Sequence, residues 1–436
     1  MNSATSLPRR ALDRVWRSRF ARNVAVVASG TAGAQAITMA FAPLITRIYG
    51  PEAFGLLGTF MAIVAVAIPV AALAYPIAIV LPREDRDALG LVRLSATISF
   101  GVALLAAALL ALGGDWLTVT LGAESVAGYL FLIPVAMLFA AWMQIAQQWL
   151  IRKKEFGVVA RSAVAHSLIL NSAKSGIGWL HPVGAVLIVL ATLGHALHAA
   201  LLFIGARRRY RAEATKAEEG RRTPLKELAH RHRDFPLYRA PQQLLNTSTR
   251  SVPVLMLAAL SGPATAGFYT LATMVLAVPS SIISKAVGDV FYPRFTEADH
   301  ADENRLRLLF TSTLTLAALG SIPFSIVFAF GPIAFSLIFG SDWYDAGEYA
   351  RWLSVLMFFH FINKPSVAAL PVLNLQRMLL VYAVTSAAAM ILGMFVGLYV
   401  LESDVLGVAL FSILGATFYS LLIAWVFIVA YKRDKA

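Results

Sequence analysis

The sequence predicts an all-α integral membrane protein with twelve transmembrane helices in two parallel six-helix repeats. Three observations lead there. Of 436 residues, 58% are apolar and only 14% are charged, whereas an ordinary soluble domain carries about 25% charged residues. A hydrocarbon core about 30 Å thick needs roughly 20 apolar residues of helix, and twelve runs qualify, at about 23–46, 56–81, 92–113, 127–150, 159–178, 183–205, 242–260, 264–287, 308–330, 350–371, 378–400 and 405–430. Finally, the chain repeats itself. Gly50-Pro51, Gly55, Pro69 and Pro82-Arg83 return as Gly262-Pro263, Gly267, Pro279 and Pro293-Arg294, at an offset of 212 residues held to within two positions.

Residues 1–22 form a basic leader on the cytoplasmic side, with Arg9, Arg10, Arg14, Arg17, Arg19 and Arg22. The run after it lacks a small-residue cleavage site and reads as an anchor. Spans one to six make a first lobe over 23–205. Span one ends at Arg47, and a short outer turn leads into span two, where Pro69 and Pro76 predict a kink. Span four carries Gln144, Gln147 and Gln148 on one face, an arrangement that turns away from lipid. Spans five and six form a hairpin turned at His181-Pro182.

A hydrophilic linker follows over 206–241. It holds an amphipathic helix near 224–233 and is too short for a catalytic domain. Spans seven to twelve make the second lobe over 242–430, with a cytoplasmic tail at 431–436. The outer loop after span nine, FGSDWYDAGEY (339–349), echoes LGAESVAGY (121–129) after span three. Six spans per half is an even number, so both halves enter the membrane from the same side and the repeats are parallel.

Charge placement sets the orientation. With both termini cytoplasmic, 32 of the 37 Lys and Arg fall on the inner face, which is the positive-inside rule. The net charge of +13 is therefore an orientation signal and an attraction for anionic membrane lipid, not a nucleic-acid footprint. No Asp or Glu falls within any assigned span, yet Lys174, Arg250 and Lys364 do. A basic residue at mid-span costs roughly 2.5 to 3.5 kcal/mol, so these three are expected to face water or an anion.

Arg250, midway along span seven with Gln243 and Asn246 on its face, reads as a cavity residue in preference to a partner of backbone carbonyls. Lys174, sharing a face with Asn171, and Lys364, beside Asn363 and Pro365, read equally as snorkelling or cavity residues. Arg47 reads either as a headgroup contact or as a gate, and Lys285 with Asp289 as an i,i+4 pair.

Catalytic and metal chemistry find little support. There are no cysteines, so thiolate and disulfide chemistry are excluded. His195 and His198 share helix spacing without a nearby carboxylate and read as packing or pore lining, not as a metal site. HExxH, GxSxG and nucleotide-binding loops are missing. Glu84, Asp85 and Asp87 sit between Arg83 and Arg86 as a salted loop.

The ordered motifs RIYGPEAFG after span one, WLIRKKEF (149–156), RDFPLY before span seven, GPATAGFYTLA after it and DVFYPRF (289–295) resemble those of the polysaccharide-biosynthesis exporters. These are the O-antigen and exopolysaccharide flippases of the multidrug/oligosaccharidyl-lipid/polysaccharide superfamily, and the likeness runs from about 20 to 430. The resemblance implies two six-helix lobes about a central cationic cavity in a bacterial inner membrane. The substrate it implies is a polyprenyl-pyrophosphate-linked oligosaccharide, and polymerase and chain-length proteins of the same pathway are candidate partners. It also implies functional basic residues near the end of span one and in span seven, which Arg47 and Arg250 match. The lipid II flippase branch differs in its extra spans and intramembrane charge. No cofactor is expected, and a coupling ion is left open. The rival readings are a multidrug antiporter, which would want an intramembrane carboxylate, a membrane-embedded glycosyltransferase, which would want large outer loops, and a non-transporting scaffold.

Overall fold

In a computed structural model, which describes residues 19–122, 124–218, 223–286, 291–300, 304–370, 372–373 and 375–435, the chain is helical nearly throughout. The basic leader and the Lys285–Asp289 pair lie outside these residues or their described side chains. Among them, six helices are long and apolar enough to cross a membrane: Val26–Ala71, Asp85–Gly114, Gly184–Arg207, Arg305–Phe339, Val381–Val400 and Asp404–Lys435. Their outward rows are apolar, with Leu109 61% and Leu112 88% exposed. Such a surface is stable only against lipid.

The first helix, α1 (Arg19–Ala71), has 53 residues. Run straight it would be about 80 Å long, far more than a bilayer. It folds back at one residue, Gly50, with φ 69° and ψ 174°, a conformation open only to glycine. Up to there it follows α5 (Phe156–Leu180), with Gly30 against Ala160 and Tyr49 against Gly178. Beyond it, Ala53 and Leu56 lie against Gly184, the first residue of α6 (Gly184–Glu218). The expected outer turn is thus reduced to a single residue.

Span two breaks where a kink is expected. The helix stops at Ala71, Leu73 and Ala74 turn left-handed, and a short turn, α2 (Tyr75–Ala78), restarts with Pro76 in its first positions. Pro76 has no N–H to give and would clash with the carbonyl four residues back, but the first turn of a helix accepts it. Next come α3 (Asp85–Leu121) and α4 (Leu132–Arg152). The 339–349 stretch is also not a loop. Only Gly340, with φ 119°, leaves helical geometry before a single turn at Ser341–Trp343. The chain stays wound here because Phe339, Trp343 and Tyr349 are all buried in one core.

That core joins the two halves of the chain. It takes Ile45, Tyr49 and Phe54 from α1, Leu257 from α8 (Ala240–Leu260) and Leu271 from α9 (Pro263–Ala286). It also takes Phe339 from α11 (Arg305–Phe339) and Tyr349 from α12 (Tyr344–Ile362). The repeated motifs meet here. A Cβ on Gly55 would collide with the carbonyl of Pro263, and one on Gly267 with the carbonyl of Pro51. Each glycine thus lets the other half's turn approach its backbone. Three hydrogen bonds add to the contact: Thr46 Oγ1 to Phe339 O (3.2 Å), Trp343 Nε1 to Thr46 O (3.2 Å) and Arg47 Nη2 to Leu337 O (3.0 Å).

At the opposite end the halves have separate cores. One is built from Tyr75, Ile79, Leu89, Ile145 and Trp149 with Leu228 of the linker helix α7 (Leu225–Arg231). The other takes Phe295 from α10 (Tyr292–His300), Leu309, Leu370 and Val426. Each has its own ionic staple. Arg152 pairs with Asp85 at 2.9 Å and donates to the carbonyl of Pro82 at 2.6 Å, while Arg305 pairs with Asp299 at 2.6 Å and Asp434 at 3.2 Å. The Arg152 side chain is 10% exposed but Asp85 is 39% exposed, which places the pair between the buried and surface cases. Arg152→Ala is expected to destabilise the protein by about 2 kcal/mol, visible as a lower melting temperature in detergent. An unchanged melting temperature would show that the loop at 79–85 holds without it.

A candidate anion site in the second half

α12 ends at Ile362 and a new turn, α13 (Lys364–Ala369), starts with Pro365 in its first positions. The proline has no N–H to give, which the first turn of a helix accepts, and buried polar side chains gather around the break. Asn363, 1% exposed, has no partner for Oδ1, and Ser366 Oγ and Ser412 Oγ are likewise buried without a hydrogen bond among the described residues. Such atoms call for a ligand or water.

Beside them lies a cluster of cations. Lys364 Nζ is 2.9 Å from His360 Nε2. An ammonium has only donors, so the ring nitrogen accepts and the imidazole is neutral in this arrangement. The His360 ring lies 5.1 Å from that of Tyr419, on α15 (Asp404–Lys435). Arg250, exposed on α8, is near enough for its charge to act on His360, Lys364 and Tyr419, and among the described residues no carboxylate pairs with Lys364. Its guanidinium makes no hydrogen bond or ion pair among the described residues. Gln242, Asn246 and Arg250 recur at four-residue steps as one exposed polar stripe, with Gln243 half-buried beside it. Fixed donors and positive charge without a counter-ion suit an anion, and a guanidinium suits phosphate oxygens in particular.

Of the residues singled out from sequence, the fold brings Arg250 and Lys364 together, with Gln243 and Asn246 on Arg250's helix. The others stand elsewhere. Arg47 belongs to the joined end. Asn171, 5% exposed, is held in a clamp between α5 and α1, donating to Ser167 O at 2.7 Å and Thr38 Oγ1 at 3.3 Å. Lys174 accepts the Tyr49 hydroxyl at its carbonyl (2.9 Å), and its ammonium lies within reach of His166. Gln144, Gln147 and Gln148 are half-buried on α4. The sequence reading did not include His360 or Tyr419 in the site. His360 stands four residues before Lys364, a helix-face spacing that could have flagged it, whereas Tyr419 arrives only through packing. His198 stacks on His166 at 4.6 Å, a pairing across helices. Among the described residues, no group of three or more His, Asp or Glu is placed to hold a metal ion.

The model of the polysaccharide biosynthesis protein family matches residues 44–348. The chain belongs to this family. It is 24% identical over 321 residues to the succinoglycan biosynthesis transport protein ExoT of Rhizobium meliloti (strain 1021), a match covering 72% of this chain and 61% of that relative's length. Among solved structures, an inward-facing multidrug resistance MATE family transporter of the MOP superfamily superposes with a TM-score of 0.72 at 13% identity, over 92% of this chain and 96% of that one. An outward-facing MATE family transporter gives 0.59 at 14% identity, covering 95% of each chain. A MOP superfamily transporter from Pyrococcus furiosus gives 0.61 at 14%, covering 100% of this chain and 99% of that one. This polysaccharide biosynthesis protein is thus a multi-pass membrane protein with the MOP fold.

Proposed function

We propose that this protein is an alternating-access flippase that carries a polyprenyl-pyrophosphate-linked oligosaccharide from the inner to the outer leaflet of a bacterial cytoplasmic membrane. The observation that carries the reading is the Arg250, His360 and Lys364 cluster, positive and without a carboxylate. A diphosphate needs such a site, and a cationic drug would be repelled by it, which sets the multidrug reading second. The chain's similarity to a succinoglycan biosynthesis transport protein supports the pathway.

In this reading twelve spans form two parallel six-helix lobes with both termini cytoplasmic. The lobes are joined at the outer end and parted at the linker end, so the cavity opens inward. Arg250 and Lys364 take the phosphates. Gln243, Asn246, Gln144, Gln147 and Gln148, with Lys174 in the first lobe, offer hydrogen bonds to sugar hydroxyls, which cross hydrocarbon only along a polar path, whereas Asn171 is already held by Thr38 and Ser167. Arg47 serves as the outer gate. Polymerase and chain-length proteins are the partners to test, and an ion gradient is the candidate drive.

The decisive experiment is sidedness in liposomes. A headgroup-labelled polyprenyl-pyrophosphate oligosaccharide is quenched from outside, with and without the purified protein. Protein-dependent exchange between leaflets is the expected result. Folded protein that gives none, across several glycans and imposed gradients, would overturn the flippase reading in favour of a scaffold.

A further inference from the structure

α3 meets the linker helix α7 at the end where the two halves have separate cores. Leu228 is fully buried against α3, where a Cβ on Gly90 would collide with it. Asp87 accepts from Thr223 Oγ1 at 2.7 Å and pairs with Arg231 at 2.9 Å. Tyr75 donates to Ala229 O at 3.1 Å, so the linker helix is pinned to the first half from three sides.

Between these contacts lies a cavity of about 330 Å³, within the range of small-molecule sites. Arg86 and Arg93 supply its charge and Leu89, Pro224 and Leu225 its apolar wall, and among the described residues no carboxylate lines it. Arg86, Leu89 and Arg93 fall at three- and four-residue steps, one face of α3, with Arg93 about 10 Å further along the axis. Arg93 is half-buried and has no hydrogen bond or ion pair for its guanidinium among the described residues.

The same face continues outward as Thr97, Phe100 and Leu104, at spacings of four, three and four. All three are exposed, Phe100 at 53% and Leu104 at 57%. A basic cavity that runs on into an exposed apolar row fits a molecule with an anionic head and a hydrocarbon tail. A free anion would use only the first part.

We propose that this cavity binds the phosphate headgroup of an anionic phospholipid from the leaflet at the linker end. Arg86 and Arg93 clasp the phosphate and an acyl chain lies along Phe100 and Leu104. The lipid thereby fastens the linker helix to the first half.

The test is native mass spectrometry of the full chain released from mixed phosphatidylglycerol and phosphatidylcholine, with melting temperatures measured in each lipid and in inorganic phosphate. The wild type is expected to retain one phosphatidylglycerol most tightly. Arg86→Gln/Arg93→Gln is expected to weaken that retention at least about tenfold, the loss of one charge-assisted contact. Arg83→Gln/Lys226→Gln, which removes equal charge nearby, should leave it intact. Leu225→Glu sets a carboxylate at the rim, where Leu225 is 38% exposed, and should expel the lipid even if the double arginine variant fails to fold. Equal retention of the two lipids, or retention of phosphatidylglycerol by both Leu225→Glu and a folded double arginine variant, would overturn the proposal. So would inorganic phosphate that stabilises as well as phosphatidylglycerol, since the site would then be one for a free anion.

Discussion

Arg250→Ala is expected to lower flipping of a pyrophosphate-linked oligosaccharide about 10- to 100-fold while leaving the protein folded and at normal abundance in the membrane. The size follows from the contact removed. A hydrogen bond to a charged group is worth about 1.5 to 3 kcal/mol, and each 1.4 kcal/mol is about a factor of ten. The separation of function from folding follows from the structure, because this guanidinium is exposed and has no protein partner among the described residues to lose. A structural arginine such as Arg152 would behave in the opposite way. Arg250→Lys keeps the charge without the planar fork and should fall between wild type and alanine. Undiminished flipping by Arg250→Ala would remove the residue from the site and leave the flippase reading without its main support.

The second large effect concerns the joined end. The ideal Cβ of Gly58 lies 3.1 Å from Cβ of Thr270 in the other half, slightly shorter than the usual disulfide separation of about 3.5 to 4.5 Å, so a small outward shift brings the pair into range. The chain has no cysteine of its own, so Gly58→Cys/Thr270→Cys introduces the only thiols. The second change also removes the hydroxyl that would obstruct the first. Oxidation should cross-link the halves and reduce flipping to the protein-free rate, and a reductant should restore it. A verified cross-link with an unimpaired rate would show that this end never opens, and would sink alternating access as proposed.

Where the chemistry of a residue type restricts it to one role, sequence was enough. Glycine and proline at fixed spacing marked both turns, Gly50 and Gly262, before any contact between them was visible. Basic residues are so costly in hydrocarbon that Arg250 and Lys364 stood out singly. What sequence did not carry was juxtaposition. Asn171 is expected on the face of Lys174, but only the fold shows that Thr38 and Ser167 already hold its amide. The 339–349 stretch, rich in Gly, Ser and Asp, has the composition of a loop. Its aromatics instead find a core shared with the other half, and that long-range burial outweighs local propensity. The break at Ala72–Ala74 was half legible: Pro76 forbids a continuous helix, but whether the chain kinks or stops is decided by packing.

Arg152 stands 212 residues before Lys364; it closes α4, and Lys364 follows the end of α12, a helix that begins at the same offset from α4. In one half this position is tied to Asp85 and the carbonyls of the neighbouring loop, and in the other it lies free of any acid beside Arg250. Two identical subunits around a twofold axis would have to present the same side chain twice and could not divide these tasks. Joining the copies into one polypeptide lifts that constraint, so that one residue anchors while its counterpart is released to bind. In the flippase reading, the outcome is a path with polarity across its axis, suited to cargo whose own two ends, lipid and sugar, are unlike.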